Sequence, residues 1–115
     1  MENDRVIKSH WLDFFESLSE KIEVEPVLAA IQCDKDGADV SIEESKLLAI
    51  DFDKKDNALS FSFFGHDEIV SKPKSLSADF DGDDLSGIEV NDEQGCTYVL
   101  RFIHPLHLPR AAAAV

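Results

Sequence analysis

The chain has 115 residues, 43% of them hydrophobic, with 24 Asp plus Glu against 11 Lys plus Arg and a formal net charge of -13. This is the size of one domain, large enough for folding to bury about two thirds of the unfolded chain's surface without a metal or disulfide. The charge repels a phosphate backbone, whose binding depends on Lys and Arg displacing counterions, and it disfavours anionic membranes for the same reason.

Residues 1–6 are expected to be a flexible N-terminus, ahead of a single domain over 7–109 and a disordered tail over 110–115. Ser9 suits an N-cap, and Trp11, Phe15, Leu18 and Ile22 follow at spacings of three and four, with Leu12 and Phe14 alongside. The spacing predicts an amphipathic helix from about Ser9 to Ile22 with Asp13, Glu16, Glu20 and Lys21 mostly on its other side. Pro26 ends it by disfavouring helical geometry at Glu25. The apolar stripe packs on a sheet or docks on a partner.

From Val27 the period falls to two, and the breaks carry Asp, Asn, Gly and Lys, which are turn residues. Val27 to Cys33 reads as a strand, Asp34-Lys35-Asp36-Gly37 as a turn, and Ala38, Val40 and Ile42 as the inward positions of the next strand. Leu48, Ile50 and Phe52 alternate, Lys54-Lys55-Asp56-Asn57 turns the chain, and Leu59, Phe61 and Phe63 alternate after it. Ile69 and Val70 form a short extended piece that stops at Pro73, which belongs at a sheet edge or strand break. Leu76, Ala78 and Phe80 lead to a turn at Asp81-Gly82-Asp83-Asp84. Ile88 and Val90 lead to a turn at Asp92-Glu93-Gln94-Gly95, and Cys96, Tyr98, Leu100 and Phe102 share one face of the last strand. From Pro105 the chain is expected to fray. The fold class is α+β, mostly β: the helix packs on an antiparallel meander of about six to seven strands, open or curled into a partial barrel.

Val99 and Ile103 lie on the face opposite Tyr98, and Phe64 points away from Phe61 and Phe63. A strand apolar on both faces is covered on both. The second cover is a curled sheet, the C-terminal tail or another copy of the chain, which makes Phe64, Val99 and Ile103 the expected contact residues and a homodimer one expected outcome.

The chemistry-bearing residues form no recognisable constellation. Asp79, Asp81, Asp83 and Asp84 resemble the opening of a calcium loop, but the required sixth-position glycine and final Glu are missing. His104 and His107 have a metal-like spacing that Pro105 spoils, and His10 and His66 stand apart. There is no nucleophile elbow and no glycine-rich phosphate loop. No catalytic residue, metal or cofactor is expected. No basic flank and apolar run mark a signal peptide and no segment reaches the roughly 20 apolar residues of a membrane span, so the expected compartment is the reducing cytoplasm. Cys33 and Cys96 read as two buried small apolar residues, a disulfide being the alternative if their strands are neighbours.

The stretches Ser9-His10-Trp11 with Phe15, Leu47-Leu48-Ala49-Ile50 with Asp53-Lys54-Lys55-Asp56, Leu85-Ser86-Gly87-Ile88-Glu89-Val90 with Asp92 and Gly95, and Pro105-Leu106-His107-Leu108-Pro109 occur in a distinctive order. By these, the chain from about Ile7 to Pro109 resembles the uncharacterised bacterial family DUF5335. The family pattern has Asp-His after the glycine where this chain has His66-Asp67 after Gly65. The resemblance implies a bacterial cytoplasmic protein and carries over no activity or site residue.

Three functions are compatible with the sequence. The first is a non-enzymatic binding or interaction module with a protein partner, or a second copy, on Phe64, Val99 and Ile103. The second is an acidic decoy that occupies a nucleic-acid-binding protein. The third is a small-ligand carrier with a pocket lined by Phe61, Phe63, Tyr98 and Phe102.

Overall fold

The computed structural model describes residues 2–33 and 41–108. The expected turn at Asp34 to Gly37, the inward positions Ala38 and Val40, and the tail from Pro109 lie outside the described residues. The elements are β1 (Glu2–Val6), a 3-10 turn (Lys8–His10), α1 (Trp11–Lys21), β2 (Glu25–Cys33), β3 (Ser41–Asp53), β4 (Ala58–Phe63), β5 (His66–Ser71), β6 (Pro73–Asp81), β7 (Asp84–Asp92) and β8 (Cys96–His107).

All eight strands form one antiparallel sheet in the order β1-β6-β7-β8-β2-β3-β4-β5. The mostly β, α+β class expected from the sequence is found. The topology is two meanders laid side by side, β6-β7-β8 and β2-β3-β4-β5, joined by a ladder running from Val27↔Phe102 to Cys33↔Cys96. Only Lys72 separates β5, one edge of the sheet, from β6, next to the other edge. A flat sheet cannot make that connection, so the sheet curls until the two strands meet. Lys72 turns the corner at φ 53; its N–H donates to the Asn57 carbonyl at 3.0 Å, and its carbonyl accepts from Glu93 at 3.2 Å. β1 and β5 stay as edges, and the sheet does not close into a barrel.

The concave side holds the core. α1 supplies Trp11, Phe14, Phe15 and Leu18, all buried, and packs against β3: Phe52 lies 5.5 Å from the Trp11 ring and 6.0 Å from Phe15, and the Ser19 hydroxyl donates to the Ile50 carbonyl at 2.8 Å. β4 contributes Leu59, Phe61 and Phe63, β6 contributes Leu76, Ala78 and Phe80, and β8 contributes Leu100 and Phe102, as their period-two patterns require.

Five local expectations are corrected. Residues 2–6, read as flexible, form β1 along β6, with Val6 buried opposite Leu76; one inward apolar residue is too little pattern to announce a strand. The α-helix begins at Trp11 because Lys8–His10 forms a 3-10 turn, His10 donating to the Ile7 carbonyl at 2.8 Å, and Ser9 makes no cap. A bulge between Leu47 and Ala49 changes the phase of β3, so Leu47 is buried and Leu48 exposed. Ile42 pairs with Ala30 on the convex side and is 67% exposed, the inward partners being Val27↔Ser45 and Ala29↔Glu43. Pro105 does not end the order: it sits in an irregular part of β8, after which Leu106 pairs with Leu85 and Leu108 is buried.

β7 and β8 approach closely at Gly87, where an added Cβ would stand 2.5 Å from the Leu100 carbonyl oxygen. Both sides of that contact are backbone, so relief requires moving a central strand. Gly87→Ala is expected to lower stability by about 1–3 kcal/mol, read as a drop in the urea midpoint. An unchanged midpoint would show that the strands yield at no cost.

Candidate functional site

α1 covers the concave face against β3, and beyond it the same face stays open between β5 on one side and β2 and β8 on the other. The alternation of each strand decides what faces this space. β2 turns Ala29 and Ile31 inward, β4 turns Phe61 and Phe63, and β8 turns Tyr98 and Leu100, in the register Ala29↔Leu100 and Ile31↔Tyr98. These six side chains line a cleft of about 110 Å³. Its polar groups come from the neighbouring rungs: Glu43 opposite Ala29, Glu68 opposite Phe61 and His66 opposite Phe63.

The aromatic wall is continuous. Phe61 and Phe63 stack with centroids 6.3 Å apart, and the His66 ring lies over Phe63 at 4.9 Å and 19°. Tyr98 is half-buried, and the Asp92 carboxylate acts on its phenol. Asp92 is itself buried, its Oδ1 accepting from the Gln94 and Cys96 amides at 2.9 Å each. Burial, with the Asp92 and Glu68 carboxylates adding to it, holds the Tyr98 phenol above its ordinary value of 10.0.

The chain contains one tyrosine, so tyrosinate absorbance reports this group alone. Its midpoint is expected above that of the unfolded chain. The folded state then keeps a proton that the unfolded state releases, so this contribution to stability is complete below about pH 10 and is lost as pH rises through the folded pKa. Tyr98→Phe is expected to flatten that alkaline loss; a folded-state midpoint equal to the urea-unfolded one would contradict the reading.

A family model matches residues 2–111, nearly the whole chain. The chain belongs to DUF5335, a family of unknown function. It is also similar to an uncharacterized protein of Aquifex aeolicus (strain VF5), 28% identical over 110 residues that span 95% of this chain and 99% of that relative. No solved structure matches the chain.

Of the pocket residues expected from the sequence, this DUF5335 domain brings Phe61, Phe63 and Tyr98 together around the cleft, while Phe102 is buried in the core outside the lining. Glu43, His66 and Glu68 were missed. Assigning Ile42 inward puts Glu43 on the wrong face, and the two β5 residues become visible only once β5 pairs with β4.

The expected contact residues fall at separate places. Phe64, 76% exposed, is in the β4–β5 turn with its amide donating to Lys46, Val99 pairs with Ala30 and Glu89 in the middle of β8, and Ile103 is exposed farther along β8. Asp79, which opens the calcium-like stretch, is engaged by Arg101 at 3.0 Å and by Asn3. His107 lies 3.4 Å from Asp84, and among the described residues no three His, Cys, Asp or Glu are grouped to hold a metal.

Cys33 and Cys96 correct the reading of them as separate apolar residues: they face each other across β2 and β8 with Cα atoms 4.0 Å apart and form a disulfide. The bond is two residues beyond the Ile31↔Tyr98 rung that lines the cleft. Among the described residues no helix is long and apolar enough to cross a membrane.

Proposed function

We propose that this DUF5335 domain is a non-enzymatic binding module that holds a small, largely apolar ligand in the concave cleft. The observation that carries the reading is open space beside Phe61, Phe63 and Tyr98 on the inner face of the sheet, where a domain of this kind would otherwise be filled to close packing. The volume is of the order at which an apolar cavity takes up a small aromatic molecule. Among the described residues the lining contains no Ser, Thr or Cys to serve as nucleophile. A thermal-shift screen against small organic compounds tests the proposal. Stabilisation is expected from compounds with an apolar body, and Ala29→Leu, which fills the cleft, is expected to abolish it. A screen without any stabilising compound would overturn it.

Self-association through the convex face is a second reading, favoured by the exposure of Ile42 at 67% and Leu28 at 41% beside Ala30 and Val99. Exposed Ile103 continues the apolar character of β8, and Phe64 stands across β3. Light scattering is then expected to give twice the chain mass at micromolar concentration, with Ile42→Asp returning the monomer. The charge supports a role without nucleic acid or membrane. A cytoplasmic location is part of the proposal and requires that the Cys33–Cys96 bond survive a reducing pool; alkylation of thiols in freshly lysed cells tests it.

A further inference from the structure

We infer that the cleft selects a small organic cation of the quaternary-ammonium type over a neutral molecule of the same shape. The inference rests on the ligand-binding reading above and names the class of ligand.

In a chain of net charge -13, two carboxylates near a cleft say little by themselves. Their position among aromatic rings says more. Glu43 and Glu68 share the lining with Phe61, Phe63 and Tyr98, and among the described residues no Lys or Arg contributes to it. Among the described residues neither glutamate has an ion-pair partner. A neutral ligand entering this space would strip water from the half-buried Glu68, and at the rim from part of the exposed Glu43, and return nothing to them. A cation would replace that water with its own charge while presenting its alkyl surface to the rings, whose faces attract positive charge.

Tyr98 gives an internal sign of the local potential, because Glu68 and Asp92 both disfavour its anion. An anionic ligand would meet the same opposition. The polar lining is carboxylate and imidazole with a phenol whose anion is disfavoured, so several strong hydrogen-bond donors on the ligand would find few acceptors besides the two glutamates. An ammonium group fully covered by methyl groups needs none.

The test uses the full, disulfide-bonded chain and two probes: choline and its neutral carbon isostere, dimethylbutanol. Binding is followed by NMR through the Phe61, Phe63 and Tyr98 ring resonances. Choline is expected to bind about tenfold more tightly than the isostere at low ionic strength and to lose that advantage as salt is added. Glu68→Gln and Glu43→Gln are each expected to weaken choline severalfold and leave the isostere unchanged.

Isostere binding equal to or tighter than that of choline would overturn the cation inference and leave the ligand-binding reading in place. Choline binding that ignores both Gln variants would place the cation elsewhere and also overturn it. If neither probe nor any compound of the screen moves these resonances, the ligand-binding reading falls as well. The probe comparison on the unmodified chain decides the matter even if a variant fails to fold.

Discussion

Reducing the Cys33–Cys96 bond is expected to lower the stability of the domain by about 4 kcal/mol. The two residues are 63 apart in sequence, and a cross-link of that span removes roughly this much loop-closure entropy from the unfolded chain at room temperature. Domains of this kind have about 5–15 kcal/mol in all, so the reduced chain would be marginal. The bond also ties β2 to β8 at the one ladder that joins the two meanders; without it, that ladder must hold them through hydrogen bonds and packing alone. Urea midpoints with and without reductant measure the effect, and a Cys33→Ser, Cys96→Ser double variant is expected to match the reduced protein. A difference below about 1 kcal/mol would show that the cross-link does not constrain the unfolded ensemble as this entropy argument requires.

Trp11→Ala is expected to cost about 3–5 kcal/mol, the usual range for removing a large buried aromatic side chain. Trp11 is 1% exposed, meets Phe52 edge to face and carries the Lys8 ammonium 5.0 Å from its ring centre. Its indole N–H donates to the Val6 carbonyl at 2.9 Å, so the side chain fastens the end of edge strand β1 to the start of α1. Trp11→Phe separates the two roles: much of the packing remains, and the Val6 carbonyl loses its side-chain donor, for an expected cost of about 1–3 kcal/mol. Hydrogen exchange in β1 is expected to quicken in both variants. Since the chain has one Trp, unfolding is followed by circular dichroism. Unchanged exchange in β1 would show that the indole bond does not hold that strand.

The legible parts of this fold are those whose hydrophobic period runs uninterrupted. Leu59, Phe61 and Phe63 in β4, Leu76, Ala78 and Phe80 in β6, and the Trp11, Phe15 and Leu18 stripe of α1 all take the places their spacing announces. β3 shows why the rest was hidden. Its bulge puts Leu47 and Ile50 on one face three residues apart, and a reader who assumes strict alternation from Leu48 assigns the wrong residues to the interior. The same error at Ile42 concealed Glu43, and with it part of the polar lining of the cleft.

The pairing of β2 with β8 had no local signal at all. It joins residues about as far apart as the disulfide they carry, and nothing in either strand specifies its neighbour. Phe61, Phe63 and Tyr98 were recognisable as an aromatic set, whereas the space beside them depends on where α1 comes to rest.

Lys72 makes the curl of the sheet depend on a single residue. As the sole residue between β5 and β6, it leaves no slack for edge strand β5 to move away from β6 at that corner. Adding residues at this corner is expected to slacken the curl while leaving the strand pairings unchanged.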